Sequence, residues 1–144
     1  MAKAKTFFSE DQRRQIEQAI SNAELDTSGE IRVHIENVCK GDVLDCAARL
    51  FAKLKMHKTE LRNGVLFYLS VEDRRFAIIG DAGINAVVPI DFWNTTKELL
   101  LNNFKENKYT EGLCDAIKMT GEHLRIHFPH TVKDKNELSN KMSF

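Results

Sequence analysis

Six side chains offer hard oxygen ligands on segments that flank apolar runs: Glu30, Glu60, Asn63, Asp81, Asn85 and Asp91, with Asp26 close to the first of them. Carboxylates and amide oxygens gathered on loops suit a divalent cation, since Ca2+ takes about 6 to 8 oxygens and Mg2+ takes fewer protein ligands and keeps water. Left without an ion, the same carboxylates repel and raise one another's pKa. Turn chemistry explains each residue separately as well. Asp91 reads as a helix cap, Asp81 as a turn residue beside Gly80 and Gly83, and Asn63 as a left-handed residue before Gly64. The two readings part on whether the fold brings these loops together.

Other candidates are weaker in pattern. His123 and His127 lie four apart with His130 beyond Pro129, a spacing zinc uses, but Leu124 stands where a zinc hydrolase has its glutamate. Cys39, Cys46 and Cys114 lack any C-x-x-C spacing and are expected to be reduced, buried small residues. Asp134-Lys-Asn-Glu137 opens like a calcium loop but lacks its glycine and terminal glutamate, so it reads as solvated tail. Phe92-Trp93 is either an aromatic anchor for a protein partner or, as such pairs more commonly are, core.

The elements that position these groups follow from periodicity. Ser9 and Gln12 form a capping box ahead of Ile16, Ala19, Ile20 and Ala23, predicting a helix over 10–24. Ile31, Val33 and Ile35 alternate with Arg32, His34 and Glu36, the period of a strand. Asp42 starts a second helix carrying Val43, Cys46, Ala47, Leu50, Phe51 and Leu54, and the apolar run Val65–Leu69 reads as a strand covered on both faces. A turn at 71–74 returns the chain through Phe76–Ile79 as an antiparallel hairpin, which places Gly64 opposite Asp81 and Asn63 opposite Ala82. Residues 84–88 are expected as a short fourth strand before Pro89, and Asp91 and Thr110 as the caps of two final helices.

A strand, a helix and a second strand joined by a right-handed crossover pair in parallel, and the hairpin adds its strand antiparallel. The expected fold is therefore α/β, a three-layer α/β/α sandwich on a small mixed sheet of about four strands. In that topology the start of the first strand, the loop into the second and the loop out of the third share one end of the sheet. Glu30, Glu60, Asn63, Asp81, Asn85 and Asp91 then converge there.

Composition limits the function classes. The chain has 144 residues with 21 Lys+Arg against 21 Asp+Glu, which fits one domain and removes any bulk pull on polyanions. Nucleic acid is not an expected partner. The domain is placed at 1–129 and a polar, loose tail at 130–144. No apolar run reaches the ~20 residues of a membrane span, and the opening residues lack an export signal, so a cytoplasmic location is expected.

Four blocks carry a family resemblance: Ser28-Gly-Glu-Ile-Arg-Val-His-Ile-Glu36, Arg62-Asn-Gly-Val-Leu-Phe-Tyr-Leu-Ser70, Val71-Glu-Asp-Arg-Arg-Phe-Ala-Ile-Ile-Gly80 and Tyr109-Thr-Glu-Gly-Leu113. In this order they resemble the TPM domain family over about residues 6–128. The resemblance implies an α/β/α sandwich, divalent-metal binding in some members and acid phosphatase activity in a plant thylakoid-lumen member. Other members assist photosystem repair or modulate membrane receptors. Many members read Asp-Asn-Gly before the central strand and Gly-Tyr-Gly after the next, where this chain has Arg62-Asn63-Gly64 and Gly80-Asp81-Ala82-Gly83. Asn63 carries over, Asp81 does not, and a phosphatase site is not transferred intact.

Three functions are carried forward. The first is a Ca2+- or Mg2+-binding domain whose loops the ion ties together, with a regulatory or partner-binding role. The second is a metal-assisted acid phosphatase with Glu60 or Glu30 as general base. The third is a metal-independent protein-interaction module.

Overall fold

The computed structural model describes residues 3–130 and 139–144. A short helix α1 (Ala4–Phe7) leads to α2 (Glu10–Glu24), whose first turn is closed reciprocally by Ser9 and Gln12. Strand β1 (Glu30–Glu36) is followed by α3 (Val43–Lys53), which Asp42 caps by accepting from the N–H groups of Leu44 and Asp45. Then come a 3-10 turn at Met56–Lys58, β2 (Gly64–Ser70), β3 (Arg75–Gly80), the one-turn helix α4 (Ala82–Asn85), α5 (Asn94–Lys105) and α6 (Tyr109–His127).

The sheet order is β1-β2-β3, parallel then antiparallel. The hairpin register runs from Ser70 opposite Arg75 to Val65 opposite Gly80, the alignment that a two-residue turn at 72–73 dictates. Because every position of β2 is buried, the sheet is covered on both faces. Ile31, Val33, Ile35, Val65, Phe67, Leu69 and Ile78 face α1, α2, α5 and α6, and Leu66, Tyr68, Ala77 and Ile79 face α3. The result is the three-layer sandwich, with three strands among the described residues where the sequence predicts about four. Residues 84–88 are not a strand: Asp81 caps the N–H of Ala82 at 2.7 Å and turns the chain into α4. Alternation over so few residues does not separate a strand from one helical turn.

Three further expectations are corrected. Asp91 and Thr110 do not cap: α5 begins after Trp93 and α6 after Lys108, neither with a side-chain cap, and Thr110 is buried within the first turn of α6. Cys39 and Cys46 are not reduced but joined in a disulfide, with Cα atoms 6.2 Å apart. Gly41, at φ +94°, reverses the chain so that Cys39 returns over the first turn of α3, a closure the C-x-x-C rule does not see. Cys114 is free and half-buried in α6.

The last residues are not loose. Ser143 donates its N–H to Val33 O and accepts from Ile35 N–H, both at 2.9 Å, which satisfies the outer edge of β1. Met142 is buried, and the Phe144 ring packs under the Arg13 guanidinium at 4.2 Å. The Asp134–Glu137 run lies outside the described residues.

Candidate functional site

The strand ends meet as the topology requires. Glu30 pairs with Gly64 across β1 and β2, and Val65 pairs with Gly80 across β2 and β3. Beyond the sheet the ladder continues into the loops. Glu30 N–H donates to Asn63 O at 3.3 Å, Asp81 N–H to Gly64 O at 3.0 Å, and Gly83 N–H to Arg62 O at 2.8 Å. The loop into β2 and the loop out of β3 therefore cross in direct contact. Gly83 makes that possible, because a Cβ there would stand 2.1 Å from Leu61 O and 2.6 Å from Arg62 O.

Three of the predicted residues have neighbouring backbones at this end of the sheet and are buried: Glu30, Asn63 and Asp81 are exposed by 3%, 1% and 5%. Asn63 Nδ2 donates to Ser28 Oγ at 3.3 Å, linking the β2 loop to the segment before β1. Asn85 is exposed and donates its side-chain amide to Gly80 O at 3.0 Å, so it braces the loop through its nitrogen. Glu60 and Asp91 stand on exposed loop positions, as does Asp26.

Two residues that the oxygen count overlooked define the electrostatics. Arg62, in the left-handed region at φ +51°, donates Nε to Asp81 Oδ2 at 2.8 Å and Nη2 to Asp81 Oδ1 at 2.7 Å. This fork engages both carboxylate oxygens and pulls the guanidinium pKa above its usual value. Glu24, the last residue of α2, accepts from Ile31 N–H at 2.8 Å through Oε2. Burial, reinforced by the charge of Glu30 and opposed by that hydrogen bond, raises its pKa from 4.5 to about 7. A sequence signal for Glu24 exists: an acid in the last turn of a helix with no base beside it sits at the wrong end of the helix dipole.

The donors present match a hard cation in type, two buried carboxylates and an amide, while Arg62 already supplies one positive charge to Asp81. Among the described residues no three His, Cys, Asp or Glu side chains form a ready metal-ligand group. The histidine pair of α6 is accounted for by packing: His123 and His127 make T-shaped contacts with Phe92, at 5.3 and 6.3 Å between ring centres. Phe92 in turn meets Trp93 at 4.8 Å, and Trp93 packs against the main core.

Comparison with known proteins agrees with this fold. A family model described as the TPM domain matches residues 2–123. The NMR structure of the BA42 protein from the psychrophilic bacterium Bizionia argentinensis is similar at 45% identity and TM-score 0.92, over 99% of each chain. An N-terminal domain from P. gingivalis shares the fold at 17% identity and TM-score 0.69, over 86% of this chain and 82% of that one. One from Corynebacterium glutamicum does so at 11% and 0.64, over 95% and 80%. No match is found among curated proteins.

Proposed function

Since the chain belongs to the TPM domain family, we propose that its crossed loops form a divalent-cation-responsive junction, taking Ca2+ or Mg2+ through Asp81, Asn63 and Glu30. The observation that carries this reading is the Arg62–Asp81 fork. Asp81 is almost fully buried, yet both its oxygens are directed to a positive group that is itself half exposed. A buried carboxylate needs a counter-charge, and here it is supplied by a side chain that can swing into solvent. A divalent ion entering at Asp81 displaces Arg62, whose guanidinium occupies the place of the first metal contact. Glu60, Asn85 and Asp91 then lie on the segments that the ion reorders.

The outcome of that exchange is a change in the loop surface. Leu61, Val87 and Ile90 are exposed on the two loops, so the ion state sets which apolar groups a protein partner meets. Binding ranks above catalysis. A metal-assisted phosphatase needs a carboxylate placed to activate water beside the ion, and Glu30 is buried at a strand end while Glu60 stands exposed on the preceding loop. No helix of the described residues is long and apolar enough to cross a membrane. The Cys39–Cys46 disulfide is of a kind that persists in oxidising compartments and weighs against the cytoplasmic expectation.

The test is a titration with Ca2+, and separately Mg2+, followed by amide NMR. Shifts concentrated in residues 56–64 and 80–92, with loss of the Arg62 Nε–H resonance position, are expected; an unchanged spectrum removes the proposal. Arg62→Asp supplies a second arm. It restores the acidic residue common in relatives, suits the left-handed backbone better than arginine, and adds a ligand in place of a competitor. Affinity for Ca2+ should rise about tenfold or more. Turnover of an aryl phosphate in Mg2+ by the unsubstituted chain, lost in Asp81→Ala, would favour the phosphatase instead.

A further inference from the structure

The end of the sheet opposite the crossed loops carries a feature that cation binding leaves unused. A cavity of about 370 Å3 opens where the turn between β2 and β3 meets the junction of α5 and α6. Leu69, Val71, Phe76, Leu101, Phe104 and Tyr109 form its apolar wall. Phe76 meets Phe104 edge-on at 5.5 Å between ring centres, and Phe104 lies 4.9 Å from Tyr109, so three half-buried rings border one space. A volume of this size falls within the range of small-ligand sites. We infer that this cavity binds a small aryl carboxylate, whose ring lies on the aromatic wall and whose anionic group meets Arg74 and Lys105.

The charge on the lining has one sign. Arg74 and Lys105 are exposed side chains at its border, and no Asp or Glu lines it. Neither cation forms an ion pair among the described residues. The neighbouring acids in sequence are engaged elsewhere or stand apart: Asp73 pairs with Arg75 at 2.6 Å, Glu106 pairs with Lys108 at 3.2 Å, and Glu72 is exposed in the turn outside the lining.

The backbone points to the same place. Arg74 has φ 53°, a left-handed conformation that glycine adopts readily and arginine does not. Asn107, in the short connection between α5 and α6, has φ 59° and also lines the cavity. A strained residue that carries an unpaired charge to the border of a cavity is placed there for that charge. Charge and wall together select the ligand. A bare inorganic anion would leave the rings uncovered, and a neutral arene would leave both cations to water. An aryl carboxylate covers the rings and accepts charge-assisted hydrogen bonds from the guanidinium and the ammonium.

The experiment titrates the full chain with 2-naphthoate and, separately, with 2-naphthamide, a neutral molecule of nearly the same shape. Low salt preserves the electrostatic contrast, and a chelator keeps cations away from the crossed loops. Amide NMR should show shifts at residues 69–76 and 101–109, with naphthoate bound about tenfold more tightly than the amide. In Arg74→Gly/Lys105→Gln that ratio should fall towards one while the affinity for naphthamide stays the same; glycine accepts the left-handed backbone and Lys105 is exposed, so the fold is kept. The absence of shifts with naphthoate, shifts confined to other residues, equal affinities in the unsubstituted chain, or a ratio that survives the double substitution would each overturn the inference. Leu101→Glu gives an independent arm at a wall position that is 45% exposed. It should weaken naphthoate more than naphthamide, and equal weakening of the two would also overturn the inference.

Discussion

Gly83→Ala is expected to lose about 2 to 3 kcal/mol of stability, the largest effect of any methyl-sized change at the junction. The added Cβ would lie 2.1 Å from Leu61 O and 2.6 Å from Arg62 O, and both are backbone atoms of the crossing loop rather than the ends of flexible side chains. Relief requires the loops to separate, which also breaks the 2.8 Å bond from Gly83 N–H to Arg62 O. Overpacking of this kind costs about 1 to 3 kcal/mol and the lost hydrogen bond about 1. The better helix propensity of alanine within α4 returns at most about 1, so the clash wins. Urea unfolding at neutral pH reads the loss as a lower midpoint with an unchanged slope. Stability equal to that of the unsubstituted chain would mean that the loops do not cross at Gly83. Because the same crossing holds Asp81 against Arg62, the variant should also respond less to Ca2+, which separates a junction defect from a defect elsewhere in the sheet.

How far such a site can be read from sequence depends on which residues fix it. The hairpin register follows from the turn at 71–74 and the apolar run Val65–Leu69, and register with a parallel β1 is enough to set the backbones of Glu30, Asn63 and Asp81 at one end of the sheet. Those are local signals with a long-range consequence. Arg62 shows in the sequence only as a departure from the family pattern; its role emerges in the fold, because a guanidinium reaching a carboxylate 19 residues away leaves no periodic trace. Tertiary closure also hides the disulfide, where one residue at positive φ folds Cys39 onto α3. The docking of 139–144 is illegible for a similar reason: a polar segment with Met142 and Phe144 carries no strand pattern, and the open edge of β1 supplies the order. In α4 the local signal misleads, since a capped single turn and a short strand present the same few apolar residues.

Glu24 gives the second large effect, and its sign is fixed by the direction of its shift. Its carboxyl is displaced from 4.5 to about 7 in the folded chain, chiefly by burial and then by Glu30, against the Ile31 hydrogen bond. The folded state holds this proton more tightly than the unfolded state does, so the contribution is fully present below about pH 4.5 and is lost as pH rises through about 7. At full strength such a displacement is worth about 3 kcal/mol, and partial solvent access at a half-buried site trims it to about 2. Glu24→Gln keeps the oxygen that accepts from Ile31 N–H and removes the ionisation. Relative to the unsubstituted chain in chelator, it should be about 2 kcal/mol more stable at pH 8 and equal at pH 4. Other groups titrate in both chains, and the difference between the two unfolding curves cancels them. A difference that stays flat from pH 4 to pH 8 would mean that Glu24 ionises freely in the folded chain, and that α2 ends in water rather than against Glu30 and the first strand.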